Sequence, residues 1–283
     1  MIRLEHVSYT YTKGGPFEKK ALDDISLHIR EGEFIGVIGH TGSGKSTLIQ
    51  LLNGLLKPDS GEVIIDGKRL GDKATKMRDV RFTVGLVMQY PEYQLFEESI
   101  AKDIAFGPRN MGLTEEEIQR RVAFAAEVVG LKSDLLEKSP FDLSGGQKRR
   151  AAIAGVLAMQ PKVLILDEPT AGLDPAGRDE ILYKIRDMHE RMGLTVLLVS
   201  HSMEDVAAMA DRIFVMNGGK LAMADTPDKI FIHSEKLTAM GLDVPNITAI
   251  ADGLRGAGVP LPEGIFTLDA AEHAMLQLEK REG

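Results

Sequence analysis

The chain has 283 residues and no cysteine, and its 34 lysines and arginines against 42 aspartates and glutamates give a formal net charge of −8. At about 150 residues per domain, this length predicts one large domain or two unequal ones. The absence of cysteine excludes disulfides, thiolate metal sites and thiol nucleophiles. The acidic balance argues against broad nucleic-acid affinity, because that affinity depends on lysine and arginine neutralising phosphates.

Two further features concern membranes and export. The longest run free of charged residues spans 192–203, whereas a membrane-spanning helix needs about 20 residues. The first residues, Met1 to Glu5, alternate in character and carry charges, unlike the basic and then apolar start of a secretory signal. We therefore expect a protein that does not cross the membrane and stays in the cytoplasm.

The N-terminal part shows the alternation of an antiparallel sheet. Ile25, Leu27 and Ile29 alternate with polar residues, and the stretch 62–65 is followed by Asp66-Gly67. Asp-Gly after an alternating stretch is typical of a two-residue hairpin turn. These residues predict an antiparallel subdomain.

The central part alternates between buried strands and helices. The runs 34–38, 83–88, 163–166 and 195–199 are nearly all apolar, as in parallel strands that are covered on both faces. Segments with helical patterns and polar faces follow several of these runs, at 45–55, 179–192 and 204–209. This alternation predicts an α/β fold.

The stretch between Tyr90 and Pro161 has little strand character. Thr114, with Glu117 three residues later, forms a capping-box pattern that opens a helix to about residue 129, and Ser144 precedes a periodic helix at 151–159. We therefore predict a helical insertion between two strands of the sheet.

The C-terminal part changes character again. Two short runs, 212–216 and 220–224, flank Gly218-Gly219 and predict a closing hairpin. Thr226-Pro227 then predicts a helix with threonine as its cap and proline at its first position. Beyond about residue 234, short helical pieces are separated by prolines and glycines, and residues 247, 250, 251 and 254 form an apolar helical stripe. We predict a small helical appendage of about 50 residues.

A phosphate-binding loop follows the first apolar run. Residues 39–46 read Gly-His-Thr-Gly-Ser-Gly-Lys-Ser and match G-x-x-x-x-G-K-[ST] between a predicted strand and a predicted helix. In such a loop, backbone N–H groups surround the β-phosphate, Lys45 reaches the β- and γ-oxygens, and Ser46 can ligate Mg²⁺. His40 lies at a variable position, and its side chain is assigned no role.

Two carboxylates end the third apolar run. Asp167 and Glu168 are adjacent, and consecutive residues at a strand end point in different directions, so each can have its own role. Asp167 is placed to hold Mg²⁺ through water, and Glu168 to polarise an attacking water as a general base. The alternative interpretation is a solvated acidic loop, which the phosphate loop in the same chain disfavours.

A second anion-binding helix start occurs at Leu143-Ser144-Gly145-Gly146-Gln147. It combines a serine cap with two residues that lack side chains, and Lys148, Arg149 and Arg150 add positive charge nearby. A single chain thus has only one nucleotide loop but two helix starts suited to binding phosphate. A second chain would resolve this mismatch.

These motifs resemble those of the ATP-binding-cassette (ABC) ATPases, whose signature is LSGGQ, over roughly residues 2–231. Gln89 matches the Q-loop glutamine, residues 171–174 match the D-loop, and His201 matches the switch histidine. Tyr11 matches the aromatic residue that stacks on adenine, although Tyr9 lies two residues away and leaves the choice open.

The resemblance implies an α/β P-loop NTPase fold of the ABC type. Its mixed core sheet would carry an N-terminal antiparallel β-subdomain and an inserted helical subdomain at about 90–160. The ABC domain would span 1–233, and a helical C-terminal extension would span 234–283. That extension would either pack on its own cassette or stabilise pairing between two ATPases.

The resemblance also implies roles for individual residues. The expected ATP-binding residues are Tyr11, Gly39, His40, Thr41, Gly42, Ser43, Gly44, Lys45, Ser46 and Thr47. The expected catalytic residues are Glu168, His201 and Gln89. The residues expected to contact the ATP of a second, head-to-tail cassette are Ser144, Gly145, Gly146, Gln147 and Asp174. The expected Mg²⁺ ligands are Ser46, Gln89 and Asp167, the last partly through water.

Residues 89–96 and 103–108 are similar to the energy-coupling-factor importer ATPases, in particular to the second of their two paralogues. This resemblance implies a paralogous ATPase as dimer partner, a transmembrane T component and a substrate-binding membrane S component, at the cytoplasmic face of the membrane. It leaves open a homodimer or a heterodimer, and a vitamin or a transition-metal ion as substrate. The alternatives are a subunit of another ABC transporter and a soluble ABC ATPase without a transport role.

Overall fold

The computed structural model describes residues 1–282. The strands within this range are β1 Ile2–Tyr11, β2 Lys19–Ile29, β3 Phe34–Ile38, β4 Ser60–Ile65, β5 Lys68–Arg69, β6 Val84–Val87, β7 Val163–Asp167, β8 Thr195–Val199, β9 Arg212–Asn217 and β10 Lys220–Asp225. They form a four-stranded sheet in the order β2-β1-β4-β5 and a six-stranded sheet in the order β10-β9-β3-β8-β7-β6.

The helices surround these sheets. They are α1 Lys45–Leu52, α2 Met77–Thr83, α3 Ile100–Met111, α4 Glu115–Val128, α5 Gly145–Leu157, α6 Pro175–Met192, α7 Met203–Met209, α8 Pro227–Phe231, α9 Ser234–Ala239, α10 Asn246–Gly256 and α11 Leu268–Glu282. Short 3-10 turns occur at Pro91–Gln94, Ser133–Leu135 and Pro140–Asp142. No helix within residues 1–282 is both long enough and apolar enough to cross a bilayer.

The N-terminal sheet is antiparallel, as the alternation predicts. Ile25, Leu27 and Ile29 are buried on β2, which pairs with β1. Asp66 and Gly67 both have positive φ angles, of 50° and 75°, and connect β4 to β5. Two successive residues in this conformation match the twist of a tight hairpin, which is why the dipeptide predicts the turn correctly.

The six-stranded sheet is mixed, because β3, β6, β7, β8 and β9 pair in parallel and β10 pairs antiparallel with β9. The parallel strands β3, β6, β7 and β8 are apolar on both faces. On β7, Val163 and Ile165 pack toward the N-terminal sheet, while Leu164 and Leu166 pack toward the inserted helices. The carboxyl ends of the parallel strands meet at one edge, where α/β proteins form their ligand sites.

The helical insertion lies between β6 and β7, as predicted. The Thr114 hydroxyl accepts from the N–H of Glu117 (3.4 Å) and caps α4. The Ser144 hydroxyl caps α5 in the same way. That helix begins at Gly145 and ends at Leu157, so it starts earlier than the periodic stretch 151–159 indicates.

Some predicted boundaries are wrong. Thr83 is the last residue of α2, a helix that the sequence did not predict, instead of the first residue of a strand, and its hydroxyl donates to the carbonyl of Asp79 (2.9 Å). Helix α1 ends at Leu52 instead of 55, since Gly54 adopts a positive φ of 71°. The side chain of Thr226 makes no capping hydrogen bond, although α8 does begin at Pro227.

The C-terminal residues divide between two apolar clusters. Leu237 and Leu242 are buried in a cluster that includes residues of β3, β9 and α7. Ala251, Leu261 and Ile265 belong to a separate small cluster with residues of α11. Ile250, which the sequence places in the apolar stripe of α10, is instead 57% exposed, because Ala251 and the half-buried Leu254 supply the packed face. Gly283, the last residue of the predicted extension, lies outside the described residues.

Candidate nucleotide-binding site

The phosphate loop connects β3 to α1 in a conformation that glycine makes possible. Gly42 and Gly44 have φ angles of 80° and 108°, in the left-handed region that residues with a Cβ rarely adopt. A Cβ at Gly39 would stand 2.5 Å from both the Met216 carbonyl and the Ser43 hydroxyl. No side chain caps α1 at Gly44, so the first N–H groups of α1 remain available to an anion.

Lys45 is buried at the first position of α1. Its ammonium donates to the carbonyl of Gly39 and to that of His40 (3.2 Å). Burial lowers the pKa of Lys45, and the charges of Glu168 and Asp167 partly offset that effect. The ammonium group therefore lies within the loop, close to both carboxyl groups.

The ring of His40 contacts neighbouring protein atoms. Its Nδ1 lies 2.8 Å from the carbonyl oxygen of Thr41, and its Nε2 lies 3.2 Å from Oδ1 of Asn217 on β9. These two contacts hold the loop against the central sheet.

The loop opens into a cavity of about 450 Å³. The residues that line it come from both sheets and from α1: Tyr11, Lys19, Ala21, Thr41, Gly42, Gly44, Lys45, Ser46, Thr47, Gln89, Asp167, Glu168 and His201. The fold thus brings together the predicted loop, both carboxylates, the glutamine after β6 and the histidine after β8. Sequence reasoning missed Lys19 and Ala21. Lys19 pairs with Tyr11 across β2 and β1, so its position depends on a strand register that no motif encodes.

Glu168 has an unusual environment. It adopts a positive φ of 51°, its side chain is 13% exposed, and its Oε1 is buried without a hydrogen-bond partner. Burial, reinforced by the charge of Asp167, raises the pKa of Glu168 from 4.5 to about 7, against the opposing effect of Lys45. Burial also raises the pKa of Asp167. The free protein therefore holds Glu168 near its titration point at neutral pH.

His201 lies beside this carboxyl group. Its Nε2 is 3.6 Å from Oε1 of Glu168, and more than half of its side chain is exposed. Partial burial lowers the pKa of His201, and the charge of Lys45 lowers it further. A largely neutral imidazole therefore borders the cavity at neutral pH.

Tyr11 and Tyr9 differ in their surroundings, although their ring centroids are only 4.9 Å apart. The hydroxyl of Tyr11 lies 3.3 Å from Oγ1 of Thr47, and its ring lines the cavity. Tyr9 packs against the core between the two sheets. Of the two tyrosines, Tyr11 is the one positioned to meet a base bound beside the loop.

The signature residues lie at a second cavity, of about 540 Å³. Ser144 and Gln147 cap the start of α5 reciprocally: Gln147 N–H donates to the Ser144 hydroxyl (3.4 Å), and Ser144 N–H donates to Oε1 of Gln147 (3.0 Å). A Cβ at Gly145 or Gly146 would meet nothing within 4 Å. The start of this helix is therefore open to a ligand.

The D-loop borders the same cavity. Asp174 lines it together with Ser144, Gly145 and Gly146. Oδ1 of Asp174 also accepts from the N–H of Gly177 (2.9 Å) and so caps α6. Most of the predicted residues thus fall into two groups in two separate cavities. Six residues of the loop segment line the first together with the carboxylates: Thr41, Gly42, Gly44, Lys45, Ser46 and Thr47. The second is lined by Ser144, Gly145, Gly146 and Asp174. Four predicted residues line neither cavity: Gly39, His40, Ser43 and Gln147.

The raised pKa of Glu168 makes a prediction for stability. The unfolded chain releases this proton near pH 4.5, whereas the folded protein retains it until about pH 7. Stability must therefore fall as the pH rises through this window. We expect Glu168→Gln to raise the free energy of unfolding by on the order of 2–3 kcal/mol above pH 7 and to leave it unchanged below pH 4.5.

Denaturant unfolding between pH 4.5 and 8 measures this difference. The matched control is Glu127→Gln, since Glu127 is exposed on α4, and it should change stability little at any pH. A stabilisation by Glu168→Gln that does not vary with pH would contradict the assigned environment.

Comparisons with known proteins agree with this geometry. Residues 22–171 match the family described as ABC transporter. The chain is 57% identical over 278 residues to the energy-coupling factor transporter ATP-binding protein EcfA2 of Clostridium acetobutylicum, covering 98% of this chain and 97% of the relative. It is 55% identical over 276 residues to the EcfA2 protein of Caldanaerobacter subterraneus subsp. tengcongensis, covering 98% and 96%.

Solved structures show the same fold. The cbiO1 protein of Clostridium perfringens, described as part of the ABC transporter complex cbiONQ, matches with a TM-score of 0.74 at 40% identity, covering 84% of this chain and 93% of that one. A dimeric structure of the ATP-binding cassette MJ0796 bound to ADP and Pi matches with a TM-score of 0.72 at 29% identity, covering 80% and 98%. The chain belongs to the ABC transporter ATPase family and, within it, to the energy-coupling factor transporter ATP-binding proteins.

Proposed function

We propose that this chain is the ATP-hydrolysing subunit that energises an energy-coupling-factor importer of vitamins or transition-metal ions. It would act at the cytoplasmic face of the membrane as a head-to-tail dimer with a paralogous ATPase. The partners would be a transmembrane T component and a substrate-binding membrane S component. The division into an ABC domain at 1–233, with helices inserted at about 90–160, and an extension at 234–283 belongs to the same proposal.

The observation that carries the proposal is the separation of the two anion-binding helix starts. The start of α1 faces one cavity, with Lys45 and Glu168, and the start of α5 faces another, with Ser144 and Asp174. Each group leaves one side of a bound triphosphate uncovered. In a head-to-tail dimer, Ser144, Gly145 and Gly146 of one chain would cover the γ-phosphate held by Lys45 of the other, because both helix starts favour negative charge.

Glu168 suits the role of general base. A pKa of about 7 lies near the pH at which a base accepts a proton most effectively. His201, at 3.6 Å, can contact the γ-phosphate from beside this carboxyl group. Gln89 lines the same cavity and can orient the attacking water.

The donors in the loop cavity also fit Mg²⁺. The Ser46 hydroxyl, the Gln89 amide oxygen and the Asp167 carboxylate are hard oxygen ligands that line one cavity, and magnesium sites commonly combine one or two such ligands with substrate phosphates. When bound, the ion would neutralise charge that develops on the β- and γ-oxygens. Lys45, the loop amides and Glu168 would position the phosphates and the water around it.

An apolar groove next to the Gln89 segment supports the proposal that the T component docks there. This cavity, of about 670 Å³, lies between α2 and β6 on one side and α3 and α5 on the other. Phe96 and Phe106 are exposed at the groove, with ring centroids 5.0 Å apart. Exposed aromatic side chains in a groove are typical of a surface that receives a partner helix.

Purification from membranes tests the proposed partners. The affinity-tagged chain, extracted in mild detergent, should bring with it a second ATPase and integral membrane proteins of the T and S classes, identified by mass spectrometry. Recovery without integral membrane partners would support the soluble ATPase instead. Recovery with a membrane domain of another class would support a different ABC transporter.

Substitution of the proposed base tests the mechanism. Glu168→Gln should retain ATP binding, because the loop is untouched. It should lower ATP hydrolysis at least about 100-fold, since a general base contributes roughly that factor or more. With ATP and Mg²⁺, this variant should accumulate as a closed dimer, measured by light scattering for the chain alone and with its copurified paralogue.

A second substitution tests the proposed contact between chains. Adding Gly146→Asp should leave the fold intact, because the space around Gly146 is open. The new carboxylate should repel the partner's γ-phosphate and keep the Glu168→Gln protein from pairing. Unimpaired turnover of Glu168→Gln would refute the assignment of the base, and dimers that survive Gly146→Asp would refute the contact in trans.

The second half of the extension is proposed to stabilise the pairing of the ATPases. Its small core is separate from the cassette, and Ile250, Leu268, Met275 and Leu276 are exposed on α10 and α11. Apolar side chains on neighbouring helices can supply a contact surface. Both halves also contact the cassette, the first through the buried Leu237 and Leu242. The second half makes fewer such contacts: Phe266 packs near Phe231, and Asn246 donates two hydrogen bonds to Glu204.

Two truncations separate these roles. Deletion of 245–283 should weaken pairing, measured by sedimentation with ATP, and should lower the stability of the cassette less than the longer deletion does, because Leu237 and Leu242 stay in place. Deletion of 234–283 should also lower the free energy of unfolding by a few kcal/mol, because it removes buried leucines from the cassette core. If deletion of 245–283 leaves pairing unchanged, the proposed role in pairing is contradicted. Packing on its own cassette would then be the remaining role of the extension.

A further inference from the structure

One buried arginine on the signature helix contacts two other segments of the chain. The guanidinium of Arg149, on α5, donates to Glu92 from Nε (3.1 Å) and from Nη2 (2.7 Å). Its Nη1 donates to the carbonyls of Pro169 (3.2 Å) and Ala171 (2.6 Å). The side chain of Arg149 is only 3% exposed.

Each contacted segment carries a residue of the proposed mechanism. Glu92 lies in the turn Pro91–Gln94, three residues after Gln89. Pro169 directly follows Glu168, and Ala171 opens the stretch that ends at Asp174. Arg149 itself lies little more than one helical turn after Ser144. One planar group therefore joins the start of the signature helix to the segments of Gln89, Glu168 and Asp174.

Electrostatic interactions make the contact between Arg149 and Glu92 difficult to separate. Burial opposes ionisation of Glu92, but the hydrogen bonds and the charge of Arg149 hold the pKa of Glu92 below its ordinary value. The pair is therefore charged at neutral pH. Separating the two groups would leave a buried charge without its partner, which is strongly unfavourable. The guanidinium is also rigid and forked, so it fixes distances and angles together.

We propose that Arg149 is a positioning residue that keeps the signature start of α5, the Gln89 segment and the segment 169–174 in a fixed mutual arrangement. A displacement of Gln89 at one nucleotide site would then shift Ser144 and Asp174, which face the other site. The inference rests on the proposed function, since it requires that the signature acts on the ATP of a second chain. Arg149 also borders the signature cavity, but its guanidinium donates to Glu92, Pro169 and Ala171, and it acts through the groups that it holds.

The test compares Arg149→Lys with a matched control, Arg121→Lys. Arg121, on α4, is also largely buried and also binds one carboxylate and two carbonyls: Glu117 (2.7 Å), Ala158 (3.4 Å) and Met159 (3.2 Å). Its contacts join helices within the helical insertion and the residues directly after α5. Both variants keep the charge and lose the fork, so they should lower the thermal midpoint by similar amounts.

The two variants should differ in catalysis by the ATPase complex isolated with its partners. Arg149→Lys should lower kcat at least tenfold while KM, and the affinity of the chain for a fluorescent ATP analogue, stay within twofold. Arg121→Lys should keep kcat within twofold of the unsubstituted complex. Glu92→Gln should lower kcat as Arg149→Lys does, and the double variant should lose no more than the larger single loss, because the pair acts as a unit.

The outcomes that would overturn the inference about Arg149 differ from those that would overturn the proposed function. Equal kcat losses for Arg149→Lys and Arg121→Lys would reduce Arg149 to a structural role. Losses that add independently in the double variant would refute action as a pair. If the unsubstituted complex hydrolyses no ATP, the proposed function fails, and if Gly146→Asp leaves pairing intact, the proposed contact in trans fails, whatever the Arg149 variants do.

Discussion

The burial of one ammonium group beside two carboxyl groups is the interaction on which the nucleotide site depends. Lys45 donates to the carbonyls of its own loop, while Asp167 and Glu168 occupy the same small cavity. Burial pushes each of these three groups toward its neutral form, and the attraction between Lys45 and the two carboxylates only partly compensates. Without nucleotide, the site therefore disfavours the charged forms of these three side chains. A bound nucleotide with its cation would supply the opposite charges that these side chains lack.

The fold makes this arrangement possible by placing charged groups only where parallel strands end. The parallel strands β3, β6, β7 and β8 are apolar on both faces and carry no ionisable group before their carboxyl ends. Asp167 closes β7 and Glu168 follows it, while Gln89 and His201 come just after β6 and β8. The same edge receives the phosphate loop after β3. The net charge of −8 is compatible with binding ATP because local geometry, instead of a basic surface, meets the phosphates.

Features that depend on a few neighbouring residues could be predicted from the sequence. The glycines of the phosphate loop, the Ser144 cap with Gln147 and the Asp66-Gly67 turn all rest on contacts within about four residues. The buried strands were predictable because short apolar runs rich in β-branched residues are typical of strands covered on both faces. Local chemistry and periodicity therefore indicated the α/β class, the phosphate loop, the carboxylate pair and the signature start, whereas only the resemblance to a family assigned Gln89, His201, Asp174 and Tyr11.

Features that depend on distant partners could not be predicted. Lys19 reaches the cavity only because β2 pairs with β1 in a particular register. The exposure of Ile250 depends on which face of α10 meets α11. Arg149 gains its role from Glu92, 57 residues away in sequence. No motif records such a pairing.

The sequence by itself determined which chemical groups the protein has and which elements carry them, because caps, turns and apolar runs are encoded locally. Only the tertiary structure decided which groups share a cavity. It placed the signature apart from the phosphate loop, and it raised the pKa of Glu168 to about 7. Both results depend on burial and on strand order, which are properties of the whole packed chain.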